Sequence, residues 1–128
     1  MPNWQPNWED VRWNYAAADR AASELDQAAE AIDRTSTARG QASERATAQW
    51  RGAYRARFDA QLMDTLGSAW ELAGTYRESA ARIRQASARA REEQARREHE
   101  RERWRQEKAS EDAAARARRK AASATATP

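Results

Sequence analysis

The chain has 128 residues, a net charge of +3 and no cysteine. That length allows one domain at most, and the missing cysteine excludes disulfides and thiol chemistry. No stretch approaches the roughly 20 apolar residues of a membrane span, and none near Met1 has the pattern of a cleavable signal peptide. Hydrophobic residues make up 40% of the chain, and alanine is the commonest of them. Alanine favours helix yet buries little area, so a monomer has a thin core and is expected to complete it by pairing with another chain.

In chain order, Met1 to Pro6 reads as extended, with Trp4 as its anchor. Pro6-Asn7-Trp8-Glu9-Asp10 reads as a helix start, Asn7 capping and the two acids complementing the positive end of the dipole. From there Val11, Tyr15, Ala18, Ala22, Leu25, Ala29 and Ile32 alternate steps of four and three, a seam of coiled-coil type. The seam stays in step as far as Trp50 but weakens between Thr35 and Thr47, where Gly40 and Thr35-Ser36-Thr37 are expected to bend or fray the helix. Trp50-Arg51-Gly52 then reads as the one sharp reversal. The indole is expected to anchor the turn in apolar surface, and Gly52 to supply a backbone free to take a positive φ.

A second helix is expected from about Ala53. Phe58, Leu62, Leu66, Ala69, Ala73, Tyr76, Ala80 and Ile83 form its stripe, which Met63 and Trp70 widen. Gly67 and Gly74 lie seven apart, in line with Ala60 and Ala81, and suggest a line of close helix approach. Beyond Gln85 the texture changes. Residues 89–120 hold twelve Arg or Lys and eight Glu or Asp, giving +4 against −1 for all the rest. Pairs such as Glu92–Arg96 and Glu93–Arg97 favour a solvated helix, and Trp104 is its only large apolar residue. The sequence leaves open whether this segment continues the second helix or folds back upon it. Residues 121–128, small and polar, read as disordered.

The fold expected is therefore all-α: an antiparallel helical hairpin over residues 1–88, turning at 50–52, with a charged helical extension over 89–120. No catalytic residue, cofactor site or metal site is identified. His99 is the only histidine and lies among solvated charges, with no Gly-rich phosphate loop, ligand spacing or nucleophile elbow anywhere, so the chain does not read as an enzyme. Trp50 and Trp70 read as core volume that alanine cannot supply. Trp4, Trp8 and Trp13 read as a candidate partner patch, because tryptophan is favoured in interfaces, the alternative being packing over the hairpin or the tail; Trp104 reads as either a lone docking residue or a tolerated one. The basic stretch Arg116-Ala117-Arg118-Arg119-Lys120 lacks interleaved aromatics, so nucleic acid is not the expected partner.

Helix, Trp-X-Gly turn and helix together resemble the WXG family of small type VII secretion proteins, of the early secreted antigenic target type. The matching residues are Trp50-Arg51-Gly52, Phe58, the stripe Leu62, Leu66 and Tyr76, and the opening Trp8-Glu9-Asp10-Val11. The likeness covers about Trp8 to Ala88. It implies a hairpin that pairs antiparallel with a second copy or a related chain, as a four-helix bundle. The interface would use Val11, Tyr15, Leu25, Ile32, Phe58, Leu62, Leu66, Trp70, Tyr76 and Ile83. It further implies a protein cytoplasmic before export, then secreted or at the cell surface, or one serving as partner of a larger secreted effector. The family's export signal, Tyr followed four residues on by Asp or Glu, is missing at Tyr76, which is followed by Ala80. Tyr15 and Asp19 have the spacing but stand in the first helix. That favours a member whose partner carries the signal. The alternative reading is a coiled-coil scaffold or nucleic-acid-associated protein acting through its basic tail.

Overall fold

Two helices carry almost all of the chain: α1, Tyr15–Ala46, and α2, Ala53–Ala126. The computed structural model describes residues 1–126, and no strand occurs among them. Proline stands only at positions 2, 6 and 128, so nothing between Asn7 and Thr127 removes a helical N–H. The charged segment 89–120 continues the second helix without a break, and order extends past Lys120 to Ala126. The remaining two residues of the expected disordered tail lie outside the described residues.

The helix start expected at Asn7 is not there. Asn7 uses its side-chain oxygen locally, accepting from the Glu9 N–H at 2.9 Å. Asn14 is the cap instead, its side-chain oxygen accepting from Ala17 N–H at 3.0 Å and its carbonyl from Ala18 N–H at 3.0 Å. Both asparagines can cap a helix. The tie is broken by tertiary contacts that hold residues 1–13 extended. Val11 accordingly belongs to the extended segment, and the helical seam begins at Tyr15.

The chain divides into two compact units, Asn14–Ser87 and Met1–Trp13 with the residues from Ala88 onward. In the first unit α1 and the early part of α2 run antiparallel. Asp26 pairs with Arg84 at 2.6 Å and Asp33 with Arg77 at 2.5 Å, fixing the register at two points one heptad apart. In that register Ala22, Ala29 and Ser36 run opposite Ser87, Ala80 and Ala73, all buried. Small side chains at strict seven-residue spacing let the two backbones approach closely, which large residues at the same positions would prevent. Each buried methyl contributes only about 0.8 kcal/mol, against about 1.5–3 for a buried leucine. Among the described residues Leu66 is the one large aliphatic side chain that is buried.

This packing revises three expectations. Helix α1 passes through Thr35-Ser36-Thr37 and Gly40 without interruption, because Ser36 is one of the buried contact positions. Gly67 and Gly74 do not mark the close approach: a Cβ built at either meets nothing within 4 Å. The contact line on α2 is Ala73, Ala80 and Ser87. Trp50 and Trp70 are not core either, remaining 47% and 49% exposed, since a seam of alanine and serine leaves no space for an indole.

Candidate interaction surfaces

The reversal is built from short-range hydrogen bonds. Helix α1 ends at Ala46, where Thr47 caps it by donating both N–H and Oγ1–H to the Ser43 carbonyl, at 3.0 and 2.7 Å. Trp50 N–H closes a turn on the Thr47 carbonyl at 2.9 Å. Gly52 takes φ +91°, a conformation that a side chain at Cβ opposes, and its carbonyl receives Ala56 N–H at 3.2 Å to open α2. Two guanidinium groups bind carbonyls of the turn that follows α1. Arg51 donates to Ala48 and Trp50, at 3.0 and 2.7 Å. Arg55, held by Asp59, donates to Thr47. Cations there also complement the negative end of the helix dipole. The Trp50 ring meets Phe58 edge to face with centroids 5.6 Å apart, its other side open.

Beside the alanine seam the hairpin has two unlike flanks. Positions three residues on from the small-residue line carry Leu25 and Ile32 on α1 and Tyr76 and Ile83 on α2, with Leu62 and Phe58 nearer the turn. All six are only half-buried. The opposite flank carries the Asp26–Arg84 and Asp33–Arg77 pairs. Toward the turn it opens into a groove of about 480 Å³ bordered by Gly40, Leu66, Met63 and Trp70. The interface residues expected on α1 and α2 thus split, with Trp70 on the ion-pair side and Leu25, Ile32, Tyr76 and Ile83 together on the other.

In the second unit residues 1–13 lie against α2 as a strap. Trp104 is its centre, only 9% exposed in an otherwise charged stretch of helix. Its indole N–H donates to the Trp4 carbonyl at 2.9 Å, and its ring receives Trp8 edge to face at 5.4 Å. Trp4 donates its own indole N–H to Glu107 at 2.7 Å, and the Arg103 guanidinium stands 4.4 Å over its ring. Arg101, its side chain 12% exposed, donates to the carbonyls of Asn7 and Glu9, at 2.9 and 2.7 Å, and to the Asp10 carboxylate at 2.9 Å. Gln94 accepts from Val11 N–H at 2.8 Å and donates to Asp10 at 2.9 Å. These two partners, Gln94 first and Arg101 second, hold the Asp10 carboxyl below its ordinary value. Next along the helix Glu93 is pulled down to about 2 by hydrogen bonds from Arg96 and then Arg97.

Of the candidate patch, then, Trp4 and Trp8 contact α2 of their own chain, and Trp8 and Trp13 are both exposed. Packing over the tail holds for Trp4 and Trp8, and Trp104 is the residue they dock on, within a segment whose charge suggests only solvated surface. Two signals for this dock stand in the sequence. Pro-Asn-Trp occurs at 2–4 and again at 6–8, and one tryptophan interrupts a helix otherwise built of charge. His99, Arg116, Arg118, Arg119 and Lys120 are exposed on α2. No cluster of potential metal ligands occurs among the described residues, and no helix is long and apolar enough to cross a membrane. Comparison with known protein families, with curated proteins and with solved structures gives no match.

Proposed function

We propose that the protein acts by assembly. Its hairpin pairs with a second copy or a related chain in a four-helix bundle, in the manner of the WXG type VII secretion proteins it resembles. The observation that carries this is the flank of Leu25, Ile32, Leu62, Tyr76 and Ile83. Two helices cover these side chains only in part, while the seam between them buries little but methyl groups. A partner hairpin laid on this flank removes large apolar side chains from water at about 25 cal/mol per Å². It gives the bundle the core that alanine and serine do not supply. The sharp reversal at Gly52 supports the same reading. With no acid four residues after Tyr76, the protein travels as the partner of a larger effector that carries the export signal.

Ile32→Glu with Ile83→Glu tests the reading by placing charges on the flank while sparing the seam. Sedimentation velocity should show the wild-type chain as a dimer at high micromolar concentration and the double variant as a monomer of unchanged helicity. A wild-type chain that stays monomeric across that range, alone and with any related hairpin chain encoded beside it, removes the proposal.

A further inference from the structure

The strap is held in the way a bound peptide is held. From Gln94 to Glu107 the helix advances about 20 Å. The strap covers this distance between Val11 and Trp4 at about 2.8 Å per residue, close to the 3.1 Å of polyproline II. It runs antiparallel to α2, with Pro2 and Pro6 buried. Proline suits that conformation, since its φ is already fixed and it has no N–H to satisfy. Three of the strap's carbonyls, those of Trp4, Asn7 and Glu9, are read by Trp104 and Arg101. Main-chain acceptors of this kind are offered by any extended segment, and the indoles at positions 4 and 8 set the register.

The residue types are also those of an interface. Tryptophan and arginine dominate binding hot spots, and here Trp4, Trp8 and Trp104 are interleaved with Arg101, Arg103 and Arg105. Beneath the strap lies a single helix face with no second apolar layer. What holds it is a set of directional bonds, those of Arg101 charge-assisted, around the buried Trp104, Pro2 and Pro6.

From this geometry we infer that α2 between Gln94 and Glu107 is a recognition site for an extended Pro-Asn-Trp segment. The chain's own strap fills that site in cis, and the strap of a second copy fills it in trans when the first is displaced. The tether at Asn14 gives the cis strap a high effective concentration, on the order of millimolar for a short flexible link. A segment added in solution therefore competes poorly until the resident strap is weakened. The inference is independent of pairing through the hairpin flank, which involves other residues.

The test uses the full chain and a fluorescein-labelled synthetic peptide of residues 1–13, followed by anisotropy. Trp4→Ala with Trp8→Ala loosens the resident strap and leaves the receptor face intact. The peptide should bind this variant at least tenfold more tightly than it binds wild type. Adding Arg101→Ala to the double variant should cancel the gain. Equal affinity for wild type and the double variant overturns the inference, as does a gain that survives Arg101→Ala, and so does absence of binding to all three. Should the paired alanines lower helicity by circular dichroism, Trp8→Leu alone replaces them, with the same ordering expected and the same results overturning it.

Discussion

The two units use helix α2 in opposite ways. In Asn14–Ser87 it meets another helix through small residues, and the contact is buried and repetitive. From Ala88 onward it meets an extended segment through indoles and guanidinium groups, and the contact is polar, irregular and made one bond at a time. Both were within reach of the same alanine-rich helix. What decides between them is the partner's backbone. A helix has spent its carbonyls internally and offers only a surface to pack against. An extended strap leaves its carbonyls free, and a helix that would bind it must supply donors. Arg101 and Trp104 are those donors, whereas Arg77 and Arg84 on the hairpin side meet the side-chain carboxylates of Asp33 and Asp26.

The sharpest way to break the contrast is to remove the centre of the second unit. Trp104→Ala deletes the strap's ring contact and one of its carbonyl donors together. It should cost strap docking about 3 kcal/mol, read as loss of protection from amide hydrogen exchange at Val11. The hairpin's protection should stay unchanged. If the hairpin amides lose protection equally, the units are not separable in the way described.

The complementary change adds volume to the buried seam of the first unit. Ala80→Leu inserts a branched side chain on the contact line against Ala29 and should destabilise the hairpin by about 2 kcal/mol in urea unfolding. The same substitution at Ala81, on the exposed side, should be nearly neutral. Equal effects at both positions would mean that the small-residue line is not the contact.

Acid should produce the smallest and most selective effect. The folded pKa values of Asp10 and Glu93 are depressed below the ordinary 3.8 and 4.5. The contribution of Asp10 to the strap is thus fully present above its ordinary value and is lost as pH falls through the folded one, while Glu93, drawn to about 2 by Arg96 and Arg97 of its own helix, serves α2 itself. Strap docking, followed by tryptophan fluorescence, should be flat from neutral pH down to the ordinary carboxylate range and decline below it. Asp10→Asn should remove part of that decline. A transition centred near neutral pH would point to a different group.

How much of this was legible in the chain varies with the periodicity that carries it. The antiparallel hairpin and its reversal at Gly52 could be read, because amphipathic spacing on each side of one glycine leaves few other arrangements. The half-buried flank was also readable, since Leu25, Ile32, Tyr76 and Ile83 stand at helical intervals. The contact line itself was misplaced onto Gly67 and Gly74. Small residues occur on every side of these helices, and composition alone does not say which row faces the partner. The strap was least legible. Asn7 and Asn14 are equal as caps, and only the distant Trp104, Arg101 and Gln94 favour the second. Contacts between residues some ninety positions apart leave no local pattern, and the two Pro-Asn-Trp triplets mark the binding segment without marking its receptor.

The seven-residue spacing of Ala22, Ala29 and Ser36 against Ser87, Ala80 and Ala73 also limits how such a hairpin can change its length. One residue inserted into α1 turns everything beyond it by about 100° and carries Ala29 and Ser36 off the seam. Seven inserted residues restore the facing, provided that the other arm gains seven as well. Variation in the reach of this fold should therefore come as paired heptads, and a sequence differing by any other increment should have rebuilt its seam on a new row.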